Sequence, residues 1–206
     1  TRQELAEKAK MIPNGGFTKM LKALIGSDFL IRYVPFGSSN REERYKLKDS
    51  FCWFWLHFKE NKNIKQEDYW QHHLKESELT AWRGIAFEEV CLQHIRQIKQ
   101  ALQIGGISSM ESAYIVRGEK DTEGLQIDLI IDRSDDVANL CEMKYSKAPY
   151  TITSSYATHL IQRKEAMEAL FCDKTFLLTY IGSSPLAENE YTDTFPCQVT
   201  LDGLFL

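Results

Sequence analysis

Asp128, Glu142 and Lys144 are the residues whose types and spacing lend themselves to chemistry. Asp128 lies in a stretch where Leu125, Ile127, Leu129 and Ile131 alternate with the residues between them, the pattern of a strand. Gln126 and Asp128 therefore share the opposite face. Further on, Glu142 and Lys144 are two apart and share a strand face, opposite Cys141, Met143 and Tyr145. Only the turn formers of 133–136 separate the two strands, so a hairpin would set Asp128 beside Glu142 and Lys144. Neighbouring carboxylates repel unless a cation lies between them, and a hard, oxygen-seeking ion such as Mg²⁺ or Mn²⁺ suits such a pair. That ion would polarise a phosphodiester and lower the pKa of a bound water. Lys144 would orient the water or offset negative charge developing on phosphorus.

Other elements must position these groups. The spacing predicts a helix over 81–103, with Phe87, Cys91, Ile95, Ile98 and Leu102 on one stripe. Glu88 lies at the edge of that stripe, where an acid is costly unless paired or metal-linked, so it is a candidate ligand, directly or through water. Glu89 falls on the polar side. Strands are expected over 112–117, 125–132 and 137–145, with turn formers at 118–124, then a helix over 153–171 and strands over 176–181 and 198–204. On the 153–171 helix Tyr156, Leu160, Met167 and Leu170 point inward, and Arg163 and Lys164 flank them within reach of a phosphate. Glu-x-Lys alone is a weak motif, because both residues are common. The competing reading is a structural ion pair on an exposed sheet face. The upstream Asp128, the Glu88 helix and the basic helix that follows narrow the choice.

The front of the chain has a different character. Thr1 and Glu4 fit a capping box, opening a short helix that ends near Pro13-Asn14-Gly15-Gly16. A second helix over 17–25 has Met20, Leu21 and Leu24 inward and Gly26 as its stop. Strands over 29–34 and 41–47 flank a turn at 35–40. Helix, turn, helix and hairpin is the order of a winged helix-turn-helix. In that arrangement Thr18, Lys19 and Lys22 sit on the outer side of the second helix and Arg41 and Arg44 on the wing, placed for DNA phosphates and base edges. The alternatives are plain solvation of an exposed helix and a protein-contact module. The helix that precedes such a domain is absent before Thr1, which suggests a truncated boundary. The aromatic run over 49–58 reads as helical interdomain core, and the polar 61–66 as a linker. The expected division is 1–62 and 63–206.

Composition bounds the rest. The chain has 206 residues, 43% apolar and 26% charged, enough to bury a core. Net charge is -4, but residues 1–65 hold 13 Lys/Arg against 7 Asp/Glu and residues 66–206 hold 12 against 22. A basic front and an acidic back suggest two modules with different partners. No apolar run approaches the ~20 residues that span a bilayer, so no membrane partner is expected. Five scattered cysteines read as buried, reduced thiols of a cytoplasmic protein, and His72-His73 as exposed surface.

The sequence resembles the C-terminal part of the archaeal- and bacterial-type ATPases that join a P-loop ATPase domain, a winged helix and a PD-(D/E)XK nuclease-like domain. Gly16-Phe17-Thr18-Lys19, Tyr45-Lys46-Leu47-Lys48-Asp49 with the aromatic run, and Gly84-Ile85-Ala86-Phe87-Glu88 carry the resemblance. Gln126 to Asp132 and Leu140-Cys141-Glu142-Met143-Lys144 complete it. It implies an α/β fold: a winged helix followed by a mixed sheet with flanking helices. Asp128 and Glu142 match the family's metal ligands, Lys144 its catalytic lysine, Glu88 the acid of the first core helix, and Lys164 or Arg163 the basic position of the second. Ile127 replaces the proline of the motif. No GxxxxGK[ST] occurs, so ATP would belong to an upstream ATPase domain. The activity implied is Mg²⁺- or Mn²⁺-dependent cleavage of nucleic acid, DNA in the first instance, and a homodimer is compatible with it. The alternative is a non-catalytic regulatory or interaction module that keeps the nuclease fold.

Overall fold

The structure, a computed structural model, describes residues 1–38, 43–58, 68, 77–116 and 125–205. It divides into two compact units, Thr1–Trp82 and Arg83–Leu206. The boundary expected at 62/63, the 61–66 linker, His72-His73 and the 118–124 turn lie outside the described residues.

In the first unit, helix α1 (Arg2–Lys8) opens on the expected capping box. The Thr1 hydroxyl accepts the Glu4 amide at 3.2 Å, and the Glu4 carboxylate accepts the Thr1 ammonium at 2.7 Å. Helix α2 (Gly15–Gly26) begins earlier than the apolar pattern predicts, because Asn14 caps it by accepting the Phe17 amide. Its inner face is Phe17 and Leu21, buried with Ala6. Leu21 is buried as expected, four residues from Phe17, whereas Met20, also expected inward, is exposed. Strands β1 (Leu30–Tyr33) and β2 (Arg44–Leu47) pair antiparallel. Asp49 accepts the Cys52 amide and starts α3 (Ser50–Phe58), where Phe54 and Phe58 pack on Trp82. Phe51, Trp55 and Leu56 are exposed, so the aromatic run is core on one face only.

In the second unit the expected single helix is two, α4 (Ser77–Gln93, which crosses the unit boundary) and α5 (Ile95–Ala101). The break is at His94, whose amide donates to Cys91 in a tightened turn. The apolar stripe continues across it through Phe87, Cys91 and Ile98. Five strands follow: β3 (Ser109–Val116), β4 (Leu125–Arg133), β5 (Val137–Lys144), β6 (Thr175–Gly182) and β7 (Cys197–Thr200). They lie in that order in one mixed sheet, with β3, β4 and β5 antiparallel and β5, β6 and β7 parallel. Helix α6 (Ser154–Leu170) makes the crossover that the parallel pair β5–β6 requires, and it packs on β6. The strand expected over 198–204 ends at Thr200 and turns into a short 3₁₀ helix, Leu201–Leu204.

Leu129, Ile131, Cys141, Met143, Ile181 and Val199 face α4 and α5. The opposite face buries Ile130, Leu140, Phe176 and Tyr180, on the side of α6, where Ala157, Leu160 and Met167 are buried. Burial on both faces explains the nearly unbroken apolar runs of β4 to β6. Leu170, expected inward, is exposed at the end of α6; Phe171 turns in instead, against Tyr114 and Phe176. Among the described residues no helix is long and apolar enough to cross a membrane.

The five cysteines are unpaired. Cys91 and Cys141 are buried as expected, but Cys172 is exposed. Burial pushes the Cys91 thiol up to about 12, with the charge of Glu88 adding to it, and pushes Cys141 up as well. Thiolate is the reactive form. Alkylation of the native chain, followed by mass spectrometry, is therefore expected to label Cys172 first and to leave Cys91 and Cys141 untouched until denaturant is added. Rapid labelling of Cys141 in the native chain would contradict the packing described.

Candidate functional site

The face of the sheet turned to α6 carries the acidic and basic residues. Glu142 and Lys144 alternate with Cys141 and Met143, which belong to the α4 side, so both look toward α6. Asp128 does not follow that alternation: its neighbour Ile127 pairs with Tyr114, which packs on Phe171 at the end of α6, so Ile127 rather than Asp128 belongs to the α6 face, against the sequence expectation. The last paired position of β4 and β5 is Leu129 opposite Cys141. Asp128 and Glu142 follow that last pair, one on each strand. Asp128 also lies at an irregularity: between the pairs Ser112–Ile130 and Tyr114–Ile127, Ala113 alone faces Asp128 and Leu129. Such a bulge bends the strand and re-aims the side chains at it.

Glu142 is the most heavily engaged group. Its side chain is 18% exposed and Lys144 is 30% exposed. Lys144 Nζ lies 2.6 Å from Oε1 of Glu142. The Tyr156 hydroxyl donates to the same oxygen at 2.5 Å, and Arg163 Nη1 donates to Oε2 at 3.3 Å. Lys144 Nζ also lies 5.2 Å from the centroid of the Tyr156 ring. Tyr156 and Arg163 are seven residues, two turns, apart on α6, so one helix stripe delivers both. Thr153 caps that helix and accepts the Tyr156 amide. Burial first, then the negative charge of Glu142, holds the Tyr156 phenol well above the usual tyrosine range, so it remains a donor. Asp128 is exposed and accepts the side-chain amide of Gln126 at 2.7 Å.

The remaining expected site residues are dispersed. Glu88 is half-buried on α4, where its charge acts on Cys91. Lys164 pairs with Glu168 one turn along the outside of α6. In the first unit Lys19 and Lys22 are exposed on α2. Thr18 is half-buried, its hydroxyl taking a hydrogen bond from Arg2 and donating to the Asn14 carbonyl. Arg44 is half-buried on β2 opposite Tyr33, and Arg41 lies outside the described residues. The sequence reading placed Tyr156 in the core and missed its contact with Glu142. The available signal was a tyrosine, rather than an apolar residue, on the inward stripe two turns before an arginine.

Mg²⁺ is commonly held by one or two carboxylates with water completing its shell, and Asp128 and Glu142 are the carboxylates on neighbouring strands, but the bulge leaves Asp128 off the face on which Lys144, Tyr156 and Arg163 already meet Glu142. Among the described residues no group of three His, Cys, Asp or Glu side chains is gathered for a metal.

No family model matches the chain, and no curated protein matches it. Among solved structures it is similar to AF1548, a protein of unknown function, with a TM-score of 0.39 and 16% identity. That similarity covers 56% of this chain and 64% of the other.

Proposed function

We propose that the second unit is a nuclease-like domain of the PD-(D/E)XK type, cleaving phosphodiester bonds of DNA with Mg²⁺ or Mn²⁺. In the same reading the first unit is a winged helix that contacts DNA, and both serve an upstream P-loop ATPase domain. The observation that carries the proposal is that Glu142 and Lys144 share one strand face, with Arg163 joining them from α6, while Asp128 lies on the neighbouring strand just past the last pair of β4 and β5. The order α1, α2 and an antiparallel hairpin, with Lys19 and Lys22 exposed, supports the winged-helix part.

Asp128 and Glu142 would hold the divalent cation. When bound, it supplies Lewis acidity toward the phosphodiester and acidifies a coordinated water. The chain supplies the rest. Lys144 offers three N–H donors and Arg163 five, more than Glu142 uses. Their remaining donors would meet the non-bridging phosphate oxygens, where charge builds as water adds to phosphorus and the bond to the sugar oxygen breaks. Gln126 holds Asp128 by its amide, which occupies one oxygen of that carboxylate. A second reading, a regulatory module without catalysis, draws on the three donors that already satisfy Glu142.

Calorimetry with Mn²⁺ and Mg²⁺ on the wild type and on Asp128→Ala, followed by incubation with plasmid and branched DNA, separates the two. Binding that disappears with Asp128, together with cation-dependent cutting, is the expected result. A wild type that binds neither ion at millimolar levels would leave the cluster structural and favour the regulatory module.

A further inference from the structure

The donors that hold Glu142 are of a kind that suits an anion. Lys144 Nζ and the Tyr156 hydroxyl both meet Oε1, at 2.6 and 2.5 Å, and Arg163 Nη1 meets Oε2 at 3.3 Å. Two cations and a neutral donor thus surround one carboxylate, and among the described residues neither cation pairs with a second acid. Glu142 leaves part of that positive charge uncompensated. Such a lining disfavours an incoming cation and favours an incoming anion. A guanidinium fork suits phosphate oxygens as it suits carboxylate oxygens. The Arg163 contact is also long beside the ~2.7–2.9 Å of a charge-assisted hydrogen bond, so Arg163 is the donor most open to exchange.

The donors have supports other than Glu142. Lys144 Nζ stands 5.2 Å from the centroid of the Tyr156 ring, a cation–π contact. That ring is edge-on to Tyr150 at 6.3 Å and 76°, and Tyr150 stacks on the fully buried Tyr180 at 6.3 Å and 22°. Thr153 ties the Tyr156 amide to the cap of α6, and Arg163 follows two turns along the same helix. An aromatic frame and one helix therefore preorganise the donors, and only the Glu142 side chain must turn aside to admit another anion. Access is open, because Lys144 and Arg163 are 30% and 26% exposed.

Charge decides which anion fits. A phosphodiester brings a single negative charge and merely replaces that of Glu142. A phosphomonoester brings about 1.5–2 near neutral pH and balances Lys144 and Arg163 together. From residue 66 onward the chain holds 12 Lys/Arg against 22 Asp/Glu, a balance that opposes a long phosphate backbone and leaves a single end group as the better fit. We infer that Lys144, Tyr156 and Arg163 form a binding site for the terminal phosphate of a nucleic-acid strand, with Glu142 as its internal competitor. The inference rests on the nucleic-acid part of the function proposed above and needs no metal.

The full chain is titrated in metal-free buffer with a short single-stranded DNA carrying a 5′-phosphate, a 3′-phosphate or hydroxyl ends, and with inorganic phosphate as the free counterpart. The expected result is a preference of roughly tenfold for one phosphate end over the hydroxyl ends. Arg163→Gln should lose that preference, and Glu142→Gln should bind the phosphate end roughly tenfold more tightly still, because the competitor is gone. A purely structural ion pair predicts a lower melting temperature for Glu142→Gln and no gain in affinity. Equal affinity of the wild type for all ends overturns the inference, as does unchanged or weaker binding of the phosphate end by Glu142→Gln. Binding of inorganic phosphate with no preference among strand ends also overturns it, assigning the donors to a small phosphate instead. If Glu142→Gln does not fold, thermal melts decide. At constant ionic strength inorganic phosphate should raise the melting temperature of the wild type more than that of Arg163→Gln, and equal shifts overturn the inference. The proposed nuclease function is read separately, on cation-dependent cutting of closed circular plasmid, which has no strand end to bind.

Discussion

If the second unit is the nuclease proposed, Lys144→Met is expected to tighten Mn²⁺ binding about fivefold while slowing phosphodiester cleavage roughly 10²–10³-fold. The two signs come from one ammonium group with two roles. It sits 2.6 Å from Oε1 of Glu142, so a divalent ion approaching that oxygen would meet a like charge. Both side chains are partly exposed, and solvent screening limits the relief on removing the ammonium to about 1 kcal/mol, which is about fivefold in affinity. Methionine keeps a straight stem of similar length, and Arg163 and Tyr156 still hold Glu142. Cleavage loses more, because a donor aimed at developing charge is worth far more in the transition state than in the resting site. The structural ion-pair reading predicts something different. There, Lys144→Met lowers the melting temperature, through a half-buried carboxylate short of one partner, with no gain for the cation. Calorimetry with Mn²⁺ beside a melting curve therefore decides between them on the sign of the change in affinity.

What the sequence made legible follows the range of the interactions. Alternation in β5 is a property of that strand alone, and it put Glu142 and Lys144 on one face. The Thr1 capping box is equally local and was readable from four residues. Tyr156 was not readable as a partner of Glu142, because that contact exists only once α6 has crossed from β5 to β6 and laid its first turns over the strand. The irregularity at Asp128 depends on β3, which pairs from the other side. Glu88 shows the converse limit. Its place at the stripe edge was legible, but whether a helix on one face delivers an acid to a site on the other is a tertiary matter. The misplaced Met20 and Leu170 share a smaller cause. Each lies where a one-residue difference in helical phase or length exchanges an inward residue for its neighbour.

Gly182→Ala is expected to destabilise the chain by about 3 kcal/mol or more and to lower the melting temperature by roughly 10 °C. Gly182 ends β6 two residues after Tyr180, on the same face of the strand. The Tyr180 ring runs forward along the strand over it, so that its hydroxyl donates to the Ser184 carbonyl at 2.9 Å. A Cβ at position 182 would stand 2.2 Å from that hydroxyl oxygen and 2.3 Å from Cζ. The tip of an exposed side chain could swing away, but Tyr180 is 0% exposed and wedged between Tyr150 and Phe195. Burial pushes its phenol up to about 12, so the lost hydrogen bond is one that a neutral donor makes throughout the physiological range. Displacing the ring sacrifices that bond, worth about 1 kcal/mol, in addition to the strain of overpacking. The damage also points at the site, because Tyr180 and Gly182 stand opposite Glu142 and Lys144 in the β5–β6 ladder. Thermal melts of Gly182→Ala, of Tyr180→Leu and of the double variant test the cause. In the Tyr180→Leu background the clash is gone, and the alanine should then cost less than about 1 kcal/mol, a non-additivity expected only of residues in contact. A single Gly182→Ala variant that melts with the wild type would mean that the Tyr180 ring has another place to go, and that the frame holding Tyr156 is looser than its packing implies.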